Sequence, residues 1–339
     1  MLLLCAISAV LVLFPDPSCT SSEMVQFANF IQQFNKSYSR PEEFLYRLSV
    51  FSKNMEVAAR LQRDEMGTAE YGVTKFSDLT AEEFRSYGIK SSIGMDLSNL
   101  KRATTSATFP SSRDWRKMGV ISEVKNQGQC GSCWAFAAVG NIEAQWGIQG
   151  APRNLSVQQV IDCGPCDDGC RGGYTWDAYI TVLNEGGLVS EEEYPYSAVR
   201  KNCRKDLTAI GWIYDFQMLA KDETEMTSYV GNHGTLTVII NGVLLQHYKN
   251  GIVDNLPQNC NPDYNDHAVL IVGYVNKHNV RSAKHLLEKC TRDGSDVYEA
   301  LLNLCNTPRD GMPSPAQRLL SKDKPGLDSH GPIQASTKG

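Results

Sequence analysis

Six of the chain's cysteines fall between positions 130 and 203, and two of them stand three apart in QCGSCWAF (129–136). This crowding constrains the fold more than any other feature of the 339 residues. Each bond formed among them closes a loop and limits where the intervening segments can lie. Whether bonds form depends on the compartment. The opening residues, MLLLCAISAVLVLF, make an apolar run ended by Pro15 and Pro17. The run is too short to span a bilayer and fits the apolar region of a secretory signal over 1–20, although no positive residue precedes it. Cys5 and Cys19 belong to that segment. The nine remaining cysteines would enter an oxidising compartment, where disulfides are the default. Nine is odd, so at least one thiol stays unpaired. Asn35-Lys-Ser and Asn154-Leu-Ser are glycosylation sequons compatible with this route.

The formal charge of −5 argues against a nucleic-acid partner, which would want a basic surface. No later stretch approaches 18 consecutive apolar residues, so no membrane span and a soluble mature chain are expected. The length allows one large domain or two modest ones.

Texture divides the chain into four parts. Residues 24–90 read as helical, with Glu43, Arg47, Phe51, Asn54, Ala58 and Gln62 recurring along one side of a helix and Phe44, Leu48, Phe51 and Met55 beside them. Spacing alone favours an ordinary amphipathic helix. Tyr71 to Phe76 alternates like a strand. Asp78 or Thr80 is placed to cap a helix starting near Ala81, with Glu82 and Glu83 in its first turn. Residues 89–108 are rich in serine, threonine and glycine, a linker and a plausible cleavage zone. From Phe109 the chain looks like a compact disulfide-bonded domain. Ser132 to about Gly147 reads as a helix with Ala135, Val139, Ile142 and Trp146 on one side. WDAYITVLNEGG (176–187) reads as a helix stopped by two glycines. LTVIING (236–242) and HAVLIVGYV (267–275) are strand-like. Helices first and strands later predict an α+β fold of two segregated lobes. Residues 276–339 change texture again: no tryptophan, no strand-like run, and two stretches, SAKHLLEK and DVYEALLNL, of helical appearance.

C-x-x-C has three chemical readings. A zinc site wants a second half, which CGPC at 163–166 offers. Yet the other nearby cysteines and the secretory signal favour disulfides. A thioredoxin-like pair wants a βαβ setting, which the surroundings lack. The nucleophile reading fits best, with no metal and no cofactor. Cys133 opens a helix, whose positive end favours a thiolate. Its base has to come from far along the chain, and His267, in NDHAVLIVGY at the head of an apolar strand, is the best candidate. Gln127, six residues before Cys133, is placed to aim an amide N–H at a developing oxyanion beside the Cys133 backbone N–H.

QGQCGSCWAF, with its distance to His267, resembles the papain-like cysteine proteases from about residue 24 to Tyr274. The Glu43–Gln62 ladder, and Gly72, Thr74, Phe76 and Asp78 after it, look like the propeptide motifs of the cathepsin F and W branch. DCGPCDDGCRGGYTWDAYITVLN and NDHAVLIVGY are most similar to the W side of that branch. The resemblance implies a two-lobed papain-like fold, a helical lobe plus an incomplete β-rich one, behind an inhibitory propeptide at 21–107, with the peptidase domain at 108–275. It implies Cys133 as nucleophile, His267 as general base and acid, and Gln127 as oxyanion donor. It also makes Gly172 and Gly173 the backbone that pairs with an extended substrate, and Tyr174, Thr175 and Ala268 the lining of the main specificity pocket. Cys130 would pair with Cys170 and Cys163 with Cys203. Cys166 is left over, and Cys260 looks like half of a bridge. The implied protein is a monomeric zymogen of the secretory pathway (lysosome, endoplasmic reticulum or extracellular space), acting on peptides or proteins and held by its own propeptide.

One part of the family pattern is missing. The family carries an Asn-Ser-Trp-Gly segment after the histidine strand, whose asparagine orients the histidine. Here VGYV runs into NKHNVRSAKHLLEK, and the last tryptophan is Trp212. Residues 276–339 instead resemble a retrotransposon integrase fragment, with NTPRD and SPAQRL the most specific pieces. None of that enzyme's metal-binding acids is identifiable. The resemblance therefore leaves two expectations: an impaired endopeptidase, or a catalytically dead chimera or misjoined gene with a transposon-derived tail.

Overall fold

The computed structural model describes residues 21–86, 88, 102–103, 105–164, 169–220, 222–253, 265–275 and 318–322. The expected signal, Cys166, Cys260, most of the linker and the two helical-looking stretches of the tail lie outside them.

Three helices make the expected propeptide: α1 (Ser21–Gln33), α2 (Pro41–Asp64) and the short α3 (Ala81–Arg85). Proline at the first position of α2 suits a site whose N–H would be unpaired anyway. Phe27, Phe30, Leu48 and Phe51 close a small aromatic core between α1 and α2. The polar rungs of α2 hold the segment after it. Asn54 donates to the carbonyls of Ser77 and Leu79, both at 2.8 Å, and Arg47 donates to Glu83 and to the carbonyl of Asp78. Gln62 donates to Ala69 O and accepts from Tyr71 N. Thr80 caps α3 in a reciprocal box with Glu83. Asp78 is not the cap: its carboxylate accepts from Lys36 and Tyr38.

The strand expected over Tyr71–Phe76 shrinks to β1, Glu70–Tyr71. Alternation is present, but the partner strand β5 (Tyr248–Asn250) offers only a short, irregular edge. Past Gly72 the chain turns so that Thr74 Oγ1 reaches Gln246 O at 2.6 Å.

The first lobe is built on α4 (Cys133–Ile148), α5 (Val157–Cys163) and α6 (Thr175–Glu185). Ala135, Val139, Ile142 and Trp146 are all buried, and α4 is enclosed on most sides. Gly186 stops α6 in the left-handed conformation at φ 73°. Cys130–Cys170 and Cys163–Cys203 are disulfides, each spanning 40 residues. In the chain-entropy account a bridge of that span is worth about 3–4 kcal/mol.

In the second lobe, β2 (Ser112–Asp114) pairs with β7 (Gly273–Val275). A four-stranded sheet runs in the order β3 (Asp215–Met218), β8 (Arg318–Lys322), β4 (Leu236–Ile240), β6 (His267–Ile271), and α7 (Glu223–Asn232) contacts this lobe. β8 corrects the expectation of a tail without strands. RLLSK carries no β-branched or aromatic residue, so its own propensity is weak. What it meets are two strands, β3 and β4, with backbone groups to satisfy. Leu236, Val238, Ile240 and Ile271 bury against Trp115, Met226, Tyr229 and the propeptide's Ala58, Leu61 and Tyr71. The propeptide is thus part of this core.

Candidate active site

Cys133 is the first residue of α4, and its sulfur lies where backbone N–H groups converge. Those of Ala268, Trp134 and Cys133 itself favour the thiolate; burial outweighs them and pushes the thiol up to about 12. Among the described residues it is the sole free cysteine. Cys130 and Cys163, which a zinc or redox reading would need, are bonded elsewhere. The convergence of Cys163, Glu185 and Cys203 is likewise that disulfide with a carboxylate beside it.

His267 is the first residue of β6, paired with Ile240 of β4. Burial pushes its imidazole down to about 4. Both members of the pair are therefore neutral in this covered state. Cys133, His267, Ala268 and Gln127 border one cavity of about 220 Å³ between the two lobes, walled by Ile121, Val124, Phe136 and Leu270. The Gln127 side-chain amide donates to Cys130 O at 2.9 Å.

Gly172, Gly173, Tyr174 and Thr175 do not border this cavity. They sit beside the 130–133 segment, joined to it by the Cys130–Cys170 bond and by Gly131 N–H donating to Cys170 O at 2.8 Å. Gly172 takes φ 118°, a region open to glycine. The Tyr174 ring stacks on Trp176 at 3.9 Å, and Thr175 is buried.

The propeptide enters between these parts. A Cβ on Gly88 would collide with the Asp266 carbonyl, next to His267, and one on Gly131 would meet the Ser86 carbonyl at 3.1 Å. Arg85 adds charge complementarity, drawing Asp266 down against the burial that raises it. So Ser86 lies against the cysteine side of the cleft and Gly88 against the histidine side.

Two contributors escape a reading of the sequence. Asp266 accepts from Gly242 N–H at 2.7 Å and holds the turn before His267; its place next to the histidine was the available signal. Glu143, 2% exposed, accepts from Lys125 at 2.6 Å, from Leu155 N–H at 2.7 Å and from the Ser122 hydroxyl. It ties the loop that carries Gln127 to α4. An acid inside an apolar helix was its only mark.

The papain family cysteine protease profile matches residues 109–286, and the cathepsin propeptide inhibitor profile matches 27–84. The chain belongs to the papain family of cysteine proteases. Its relatives in that family include cathepsin W of Felis catus, 46% identical over 76% of this chain and 72% of the relative, and cathepsin W of Mus musculus, 43% identical over 82% and 77%. Cathepsin F of Mus musculus is 39% identical over 78% of this chain and 59% of its own length. Procathepsin L2 from the larval midgut of Tenebrio molitor superposes with a TM-score of 0.68 at 33% identity, covering 75% of this chain and 86% of that one. The chain is a papain-like cysteine protease zymogen, a cysteine-type endopeptidase by family, with its propeptide inhibitor domain in the same polypeptide. Among the described residues no helix is long and apolar enough to cross a membrane.

Proposed function

We propose that this papain-family zymogen hydrolyses peptide bonds through Cys133 and His267, and does so weakly. The observation that carries the reading is the meeting of Cys133, at the head of α4, with Ala268 N–H and His267 across one cavity. Once the propeptide leaves and water enters, a proton passes from Cys133 to His267. The thiolate then attacks the substrate carbonyl carbon, and the oxyanion accepts from Gln127 and from the Cys133 N–H. His267 returns its proton to the leaving amine, and a water molecule deprotonated by His267 releases the acyl group. Gly172 and Gly173 would pair with the extended substrate, and Tyr174, Thr175 and Ala268 would set side-chain preference.

The weakness follows from what succeeds β7. No Asn-Ser-Trp run follows His267, so the asparagine that the family carries in that segment is missing from the sequence. Loss of an orienting residue in a serine triad costs on the order of 10⁴ in kcat. A thiol, being more acidic and more nucleophilic, depends on it less. The second reading, a dead chimera with a transposon-derived tail after 275, is favoured by the foreign texture of 276–339. In either case a monomer of the secretory pathway with peptide or protein substrates is the expected setting, in the division 1–20 signal, 21–107 propeptide, 108–275 peptidase and 276–339 tail.

The test is acid activation followed by assay on a short peptide substrate, beside Cys133→Ala and beside a version given an Asn-Ser-Trp segment after Tyr274. Turnover abolished by Cys133→Ala and raised more than ~10³-fold by the added segment is the expected result. Absence of any Cys133-dependent turnover in the chain itself decides for the dead chimera.

A further inference from the structure

Two of the groups proposed to stabilise the oxyanion, the Gln127 amide and the Cys133 N–H, sit on different pieces of chain. Gln127 belongs to a loop; Cys133 belongs to α4. Their spacing has to be held by something else: Glu143 ties the loop to α4 through Ser122 and Lys125, and one further side chain touches both pieces next to the donors themselves. The Tyr196 hydroxyl lies 2.7 Å from Gln127 O and 2.7 Å from Ser132 Oγ, the residue before the cysteine. A phenol has one hydrogen, and the Gln127 carbonyl can only accept. So Tyr196 donates to Gln127 O, and the Ser132 hydroxyl donates to Tyr196. Ser132 has a second acceptor in Cys130 O, but at the longer distance of 3.4 Å.

Tyr196 is itself fixed. Its N–H donates to Glu191 Oε1 at 2.7 Å, and its ring meets Phe136 of α4 edge-on, centroids 4.8 Å apart. Burial raises the phenol to about 12, so it remains a donor at any working pH. We infer that Tyr196 is a positioning residue: through its hydroxyl it sets the distance between the two oxyanion donors. The proposal rests on the roles given above to Gln127 and Cys133.

The experiment uses the full chain, acid-activated where activity is read, and compares it with Tyr196→Phe, which keeps the ring. A peptide aldehyde and iodoacetamide separate the roles. The aldehyde forms a carbon–sulfur bond to Cys133 and places its former carbonyl oxygen on the oxyanion donors. Iodoacetamide alkylates the same sulfur, expels iodide and makes no oxyanion. Tyr196→Phe should bind the aldehyde at least ~10-fold more weakly, with alkylation changed less than ~2-fold and any kcat reduced at constant KM. Ser132→Ala should act in the same direction, and the double variant should lose less than the two separate effects combined. In the unactivated chain, amide hydrogen exchange over 127–133 should speed up in Tyr196→Phe.

Unchanged aldehyde affinity would overturn the proposal, as would a parallel fall in aldehyde binding and alkylation, which marks a purely structural role. If the parent chain neither binds the aldehyde nor turns over, the catalytic reading fails. The exchange measurement then decides on the tie alone: unchanged exchange over 127–133 overturns it.

Discussion

At the residue scale, burial governs the reactive group. Cys133 titrates near 12 under the propeptide, although three backbone N–H groups favour its thiolate. At pH 7 the thiolate, the reactive form, is almost absent. Alkylation of Cys133 in the zymogen at pH 7 should therefore run at least ~100-fold slower than after the propeptide is removed, as mass spectrometry of the labelled peptide would show. Equal rates would mean that the cleft is already open. Glu143 carries the second prediction at this scale. Its carboxylate is almost wholly enclosed and satisfies three donors, so Glu143→Ala strands Leu155 N–H and leaves Lys125 only the Leu155 carbonyl at 3.3 Å. The expected loss is about 2–4 kcal/mol in a urea titration, reduced from a fully buried pair because Lys125 is partly exposed.

At the element scale, geometry overrides propensity. Gly147 sits within α4, where alanine would normally favour the helix by about 1 kcal/mol. A Cβ there would lie 2.7 Å from Val120 O and 3.0 Å from Val120 Cα, both backbone atoms that cannot swing aside. Gly147→Ala should destabilise by about 1–3 kcal/mol instead, read as a fall in Tm. In α2, the polar rungs hold the segment that leads into the cleft. Asn54→Ala takes the Asn54 donor from the Ser77 carbonyl and leaves the Leu79 carbonyl with the Gln246 amide alone, at 2.7 Å. A separately made propeptide with that change should inhibit an active relative at least ~10-fold less well, while a change at exposed Val25 should not matter.

For the whole molecule, burial of His247 makes stability depend on acid. His247, 4% exposed, is pushed down to about 4 by burial alone. Unfolded, its imidazole takes a proton near 6.5; folded, it refuses one until about 4. Its contribution is therefore complete above pH 6.5 and is lost as pH falls from 6.5 to 4. By pH 4.5 about 2–3 kcal/mol has gone. His247 O is also the acceptor for Gly72 N–H of the propeptide, so loosening there weakens the seal over the cleft. His247→Gln should narrow the gap between urea midpoints at pH 7 and pH 4.5 and slow acid release of the propeptide. An unchanged gap would assign the acid response elsewhere.

What the sequence by itself determined was whatever is written in short-range terms. The helix α4 and its apolar positions follow from periodicity, and the stop of α6 at Gly186 from a glycine tolerating φ 73°. QCGSCWAF, with His267 134 residues after Cys133, marks the family. Those signals lie within one turn, or in one motif, and local physics reads them without help. Only the tertiary structure decided the remainder. It cut the strand at 71–76 to two residues because the partner edge was short, and it made a strand of 318–322 between β3 and β4. It chose Thr80 over Asp78 as the cap by giving Asp78 to Lys36 and Tyr38. It set a loop tyrosine, Tyr196, between Gln127 and Ser132, 69 and 64 residues away. Strand pairing, desolvation and cross-chain hydrogen bonds depend on which distant groups arrive as neighbours, and no window of sequence contains that information.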